Sequence, residues 1–113
     1  MSGITTHVLD TSKGRPAASV GVRLEILLGD DWVFIAKGST DPDGRLRDLL
    51  PPDRTFEAGT YRLVFDTAAY FDSNGVAGFH PEVAVAFRVT APEEHHHVPL
   101  LLSPFGYTTY RGS

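Results

Sequence analysis

The stretch His95-His-His-Val-Pro-Leu-Leu-Leu-Ser-Pro-Phe-Gly-Tyr-Thr-Thr-Tyr-Arg-Gly-Ser113 contains an apolar strand-forming run, a turn and an aromatic and basic tail. Side chains alternate between the two faces of a strand, so a strand over 95–102 has two distinguishable sides. One side is wholly aliphatic and consists of Val98, Leu100 and Leu102. The other side is mixed and consists of His97, Pro99 and Leu101. The alternation predicts that the aliphatic side faces a core and that His97 lies outside it.

The rest of the chain reads as short strands separated by turns. Strand patterns occupy 4–9, 20–28, 32–38, 59–66, 82–90 and 107–111, with a shorter edge-like segment at 46–50. Clusters of Gly, Pro and Asp at 10–16, 29–31 and 40–45 are typical of turns. The segment 67–75 favours a short helix with Gly75 as its C-cap. About eight short strands with one short helix predict an antiparallel β-sandwich, formed as a single domain over 1–113.

The composition excludes several classes of site. The 113 residues include no cysteine, which rules out disulfides, thiolate nucleophiles and thiolate metal ligands. A net charge of −4 argues against a nucleic-acid partner, which requires clustered Lys and Arg. The N-terminal segment resembles no secretory signal, and no apolar run approaches the ~20 residues of a membrane span. We therefore expect a cytoplasmic protein with no membrane association.

The residues that could carry chemistry are histidines and arginines. In the consecutive triplet of 95–97, only His95 and His97 share a face, and no carboxylate stands at a recognisable ligand spacing beside them, so no metal site is predicted. His7 shares a strand face with Thr5. Arg45 follows a glycine in a turn, where the plain interpretation is a solvated residue and the functional one an anion-binding guanidinium. This inventory suits water-mediated hydrolysis, general acid–base catalysis or polar binding, and does not choose among them.

Several motifs together resemble those of one family, the transthyretin-related 5-hydroxyisourate hydrolases. The matching segments are Thr6-His-Val-Leu-Asp-Thr-Ser-Lys-Gly-Arg-Pro-Ala17, Asp41-Pro-Asp-Gly-Arg45, Tyr70-Phe71, Phe79-His-Pro-Glu-Val83 and the whole of 95–113. The resemblance runs from end to end of the chain. Its most specific part is the terminal Tyr-Arg-Gly-Ser, which the hormone-carrying transthyretins lack.

The resemblance implies an architecture and an assembly. The fold would be all-β, a transthyretin-like (prealbumin-like) sandwich of two four-stranded sheets with one short helix. Two edge-paired dimers would form a homotetramer, with active sites in the channel where the dimers meet. No metal and no cofactor are implied.

The resemblance also implies a reaction and its residues. The reaction would be hydrolytic opening of the six-membered ring of 5-hydroxyisourate in urate breakdown. The catalytic positions would be His7, Arg45 and His97, with either histidine a candidate for the base. The substrate-binding positions would be Tyr110, Thr108, Arg111 and Ser113.

Three departures and two alternatives accompany this interpretation. Members of the family commonly have serine at Thr108 and an aromatic residue at His80 and at His96, which affects the expected substrate fit and rate. One alternative is a transthyretin-like carrier that binds a planar hydrophobic ligand in the channel, although polar side chains at the channel positions argue against it. The other is a structural domain of an adhesion protein, disfavoured by the lack of a signal sequence and of tandem partners.

Overall fold

The computed structural model describes residues 3–113 as two β-sheets and one helix; the first two residues of the predicted domain lie outside the described part. The elements in chain order are β1 (Gly3–Asp10), β2 (Arg15–Pro16), β3 (Gly21–Leu28), β4 (Asp31–Ser39), β5 (Arg45–Leu46), β6 (Gly59–Phe65), α1 (Thr67–Ser73), β7 (Val83–Val89), β8 (His95–Leu102) and β9 (Tyr107–Thr109). One sheet has the order β2-β1-β8-β9, with β5 also paired to β1, and the other has the order β4-β3-β6-β7. Strand β8 lies parallel to β1, whereas the other strand pairs are antiparallel.

The predicted β-sandwich with one short helix is confirmed, with several differences in its elements, among them the last strand, which ends at Thr109 and not at 111. The first sheet gains a strand because the two-residue segments β2 and β5 both pair along β1. The predicted edge segment 46–50 shrinks to Arg45–Leu46, and Pro51 and Pro52, which cannot donate to a ladder, lie beyond it. Helix α1 ends at a C-cap on Asn74, one residue earlier than the predicted cap, and Gly75 follows with φ of 68°.

Alternation along the strands assigns the core as predicted. Val98, Leu100 and Leu102 on β8 are at most 5% exposed. On β6 the side chains of Tyr61, Leu63 and Phe65 have no exposed surface at all. Pro99 is also buried although it lies on the other face of β8, because the backbone of Gly112 lies against its ring. The two aliphatic faces thus enclose one core, and the mixed face of β8 points away from it.

The register of the first sheet determines which side chains meet outside the core. In the parallel pair, Thr5 is opposite His97. In the antiparallel pairs, His7 is opposite Arg45 and Leu101 is opposite Thr108. Residues directly opposite each other project to the same face of a sheet. The outer face therefore carries both predicted catalytic histidines and the arginine.

A buried carboxylate ties the helix to the first strand. Asp10 is 1% exposed and accepts hydrogen bonds from the Ser12 hydroxyl (2.6 Å), the backbone N–H of Lys13 (3.3 Å) and the hydroxyl of Tyr70 on α1 (2.6 Å). Burial acts to raise the pKa of Asp10, but the hydrogen bonds from Ser12, Tyr70 and the backbone outweigh it and hold the pKa below its ordinary value. Asp10 is therefore ionised and stabilising at neutral pH.

No helix within residues 3–113 has the length and apolar character needed to cross a lipid bilayer.

We expect Tyr70→Phe to lower the free energy of unfolding by about 1–3 kcal/mol, because a buried carboxylate loses one of its donors. The contribution of Asp10 is present above pH 3.8, its ordinary pKa, and is lost as the pH falls through its lower folded-state pKa. The variant should therefore lose stability at a higher pH than the wild type. Urea unfolding at several pH values measures both effects. Tyr107→Phe, at an exposed position, is the control, and equal unfolding midpoints for the two variants would contradict the assignment.

Candidate functional site

A tight turn fixes Arg45 beside His7. The carboxylate of Asp41 accepts hydrogen bonds from the backbone N–H groups of Asp43 and Arg45, both at 2.9 Å. Gly44 has φ of 75°, and its carbonyl oxygen accepts from the N–H of Val8 at 2.8 Å. A Cβ atom at Gly44 would lie 2.4 Å from the Val8 carbonyl oxygen, so only glycine fits. The Asp-Pro-Asp-Gly-Arg motif thus forms a turn that fixes the position of Arg45 beside β1.

The same turn determines the tautomer of His7. Its Nε2 atom lies 2.9 Å from the carbonyl oxygen of Asp43. A carbonyl oxygen only accepts hydrogen bonds, so Nε2 carries the hydrogen. In the neutral ring the lone pair of His7 is therefore on Nδ1.

A polar cleft of about 450 Å³ opens on the outer face of the first sheet. Its lining residues are Gly3, Thr5, Thr6, Arg45, Arg47, Asp48, His95, His97 and Ser113. Three predicted site residues meet here, namely Arg45, His97 and Ser113. Among residues 3–113, no three His, Cys, Asp or Glu side chains are grouped as a metal ion would require.

A second cavity, of about 310 Å³, lies on the other side of His97. His97 borders both cavities, and Tyr110 and Arg111 line the second one with residues of β7. Thr108 is exposed on the outer face and belongs to neither lining. His7 is also outside both linings, although its charge influences His97. The predicted residues thus surround His97 without forming a single closed pocket.

The electrostatics around His97 favour its neutral form. Burial is the largest cause that lowers the pKa of His97, and the positive charges of His7, His95 and Arg45 lower it further. A hydrogen bond to the backbone of Thr5 acts in the opposite direction and is outweighed. An imidazole with a lowered pKa is deprotonated at neutral pH, which allows it to accept a proton.

Several residues of the cleft, among them Thr5, His95, Arg47 and Asp48, were not predicted as site residues. The hydroxyl oxygen of Thr5 lies 2.8 Å from Nε2 of His95 and 2.8 Å from Nδ1 of His97. The sequence showed that His95 and His97 share one face of their strand. Their contact with Thr5 depends on the pairing of β1 with β8, which the sequence did not show. Arg47 and Asp48 carried no signal, because they belong to the segment predicted as an edge strand.

His80 and His96, at which the resemblance implies aromatic residues, lie outside the cleft. His96 is 4% exposed, its Nδ1 lies 3.0 Å from the carbonyl oxygen of Glu94, and its ring meets Phe56 edge-on. His80 packs edge-on between the rings of Phe79 and Tyr107. Both fill aromatic surroundings rather than the cleft.

Comparison with known proteins places this geometry in a family. A family model described as the HIUase/Transthyretin family matches residues 4–112. The chain belongs to this family. The mouse 5-hydroxyisourate hydrolase is 46% identical over 114 residues, which cover 99% of this chain and 96% of the mouse protein. The hydrolase of the same name from Caulobacter vibrioides is 44% identical over the full length of both chains.

The comparison with solved structures confirms the transthyretin-like fold. The 5-hydroxyisourate hydrolase of Klebsiella pneumoniae superimposes with a TM-score of 0.86 at 34% identity over 100% of both chains. The transthyretin of Sparus aurata gives a TM-score of 0.90 at 38% identity, covering 99% of this chain and 97% of that one. The fold alone therefore does not separate hydrolase from carrier. The separation has to come from the side chains of the cleft and from the sequence relatives.

We expect Gly44→Ala to destabilise the protein by more than Gly14→Ala. Both glycines have a positive φ, which costs an L-residue about 1–2 kcal/mol, but only at Gly44 does the new Cβ collide with backbone. Thermal unfolding of the two variants measures the difference. Equal melting temperatures would show that the turn yields to the Cβ and that Arg45 is not rigidly placed.

Proposed function

We propose that this protein is a 5-hydroxyisourate hydrolase, which opens the six-membered ring of its substrate by adding water. The observation that carries the proposal is the convergence of Arg45, His97 and Ser113 in one polar cleft. Curated relatives that are 44–46% identical over nearly the whole chain bear the name 5-hydroxyisourate hydrolase, which supports the same activity.

The chemistry follows from the two imidazoles and the guanidinium. Water adds its oxygen to the ring carbonyl carbon, the carbon–nitrogen bond breaks, and the nitrogen leaves with a proton. His97 is the proposed base, because its lowered pKa leaves it neutral and it lines the cleft. His7 is the proposed second proton-transfer group. Arg45 holds the anionic ring and stabilises the negative charge that develops on the carbonyl oxygen.

The remaining predicted residues are proposed to bind the substrate. Ser113 lines the cleft together with Arg45, and Tyr110 and Arg111 line the adjoining cavity. Thr108 presents a hydroxyl on the same sheet face. These groups supply hydrogen bonds suited to the polar edges of an oxidised purine.

The proposed assembly is a homotetramer whose sites form where two dimers meet. The support is that the cleft on the outer face is open to solvent and that Tyr110 is 55% exposed beside a second cavity that it only partly encloses. A second subunit facing this sheet would close the site and exclude water from it. The cytoplasmic location remains a prediction.

The carrier alternative is not favoured. A planar hydrophobic ligand requires an apolar channel wall. The cleft is instead lined by charged and polar side chains, among them Arg45, Arg47, Asp48 and His97. A urate-like ring can form hydrogen bonds with such side chains. A hydrophobic ligand would displace their water without replacing the lost hydrogen bonds.

The decisive experiment generates 5-hydroxyisourate in the assay mixture itself. Urate oxidase and urate produce the transient species, and its absorbance is followed with and without the protein. Faster decay in the presence of the protein is the expected result. A decay rate equal to the spontaneous one would refute the proposed activity.

We expect Arg45→Ala and His97→Ala each to lower kcat by about 10²–10³-fold, the usual loss when a charge-stabilising group or a base is removed. Lys37→Ala is the control, because Lys37 is exposed on the other sheet. The coupled assay measures all three variants. Wild-type rates for Arg45→Ala or His97→Ala would refute the corresponding role.

We expect light scattering at micromolar concentration to give about four times the chain mass of 12.3 kDa. The physical reason is that the outer face exposes a binding surface that an isolated chain leaves open. A monomeric mass for a fully active sample would contradict the proposal that the site needs a second subunit.

A further inference from the structure

A single hydroxyl connects two histidines of the cleft. The Oγ1 atom of Thr5 lies 2.8 Å from Nε2 of His95 and 2.8 Å from Nδ1 of His97. The two histidines are two residues apart on β8, and the parallel register places Thr5 directly opposite His97 and Gly3 opposite His95. Both ring positions are therefore fixed by the strand ladder and not by flexible loops.

The valence of the hydroxyl couples the protonation of the two rings. A hydroxyl has one hydrogen to donate and two lone pairs that accept. It cannot donate to both ring nitrogens at once, so at least one histidine must donate an N–H to Oγ1. If the donor is Nδ1 of His97, the hydroxyl hydrogen is free for Nε2 of His95. In that arrangement neutral His97 has its lone pair on Nε2.

We propose that Thr5 and His95 are positioning residues that hold His97 in the Nδ1–H tautomer, with Nε2 free to take a proton from the attacking water. The proposal rests on the hydrolase function proposed above and adds the residues that prepare its base. The hydrogen bonds run from Nδ1–H of His97 to Oγ1 of Thr5, and from the Thr5 hydroxyl to Nε2 of His95. The opposite direction would place the hydrogen on Nε2 of His97 and remove its basicity there.

The charged groups around His97 come from four strands and from the segment after β9. His7 lies on β1, Arg45 on β5 with Arg47 and Asp48 just beyond it, and His95 on β8, while Arg88 of β7 and Arg111 line the second cavity beside His97. Apart from burial, which is the largest cause, the charge of His95 lowers the pKa of His97. The hydrogen bond to the backbone of Thr5 raises it. Removing the charge of His95 should therefore raise the pKa of His97, whereas Thr5→Val keeps the backbone group that raises it.

The activity test uses the full-length protein with three variants, Thr5→Val, Thr5→Ser and His95→Gln. Thr5→Val keeps the shape of the side chain and removes the hydroxyl, and we expect kcat to fall about tenfold or more with little change in KM. Thr5→Ser restores the hydroxyl and should recover most of the rate. The acid limb of the kcat/KM profile should move to higher pH in His95→Gln, because the charge of His95 lowers the pKa of His97.

The tautomer is measured separately, without substrate, from ¹⁵N chemical shifts and two-bond couplings of the imidazole rings. The expected result for the wild type is a neutral His97 with its hydrogen on Nδ1, and loss of this preference in Thr5→Val. An Nε2–H tautomer in the wild type, or unchanged rates and pH profiles in Thr5→Val and His95→Gln, would overturn the proposal. A wild type with the expected tautomer and no hydrolase activity would instead refute the proposed function and leave the hydrogen-bonded chain intact.

Discussion

The parallel pairing of β1 with β8 is the interaction on which the rest of the structure depends. It joins segments about ninety residues apart in the chain, from Gly3 opposite His95 to Asp10 opposite Leu102. On the inner face it completes the core with Leu100 and Leu102. On the outer face it brings Thr5 to His97. The same hydrogen-bond ladder therefore stabilises the sandwich and sets the distances within the site.

Successive side chains on β8 point to opposite faces of the sheet, so adjacent residues lie in different environments. His96 and His97 are adjacent in sequence, yet His96 is buried among aromatic rings on one face and His97 lines the cleft on the other. A shift in register of one residue would exchange these positions and bury the proposed base. The aliphatic residues of β8, which cannot be exposed without cost, hold the register in place. Core packing thus determines, through alternation, which side chains of β8 line the cleft.

Alternation also explains how far the sequence could be interpreted. It predicted the core face of β8 and the outward direction of His97, since both depend on one strand only. It did not reveal the contact of Thr5 with His95, because that depends on which strands pair and in what register. It also missed the strand at Arg15–Pro16, a two-residue segment in a turn-rich loop that exists only because β1 offers it a partner. Local patterns identified elements and faces, whereas long-range pairing created the site.

The parts of the site differ in how firmly a single chain holds them. Arg45 is held by backbone hydrogen bonds of its turn and His7 by a backbone carbonyl. His97 is held by a hydroxyl on the neighbouring strand. In contrast, Tyr110 lies beyond the end of β9 and is largely exposed. Groups that transfer protons or stabilise charge need fixed positions before the substrate arrives. Residues that only enclose the substrate and exclude water do not need such fixed positions, so a second subunit can supply them. On this argument the proposed tetramer would enclose an arrangement of proposed catalytic residues that each chain already holds in place.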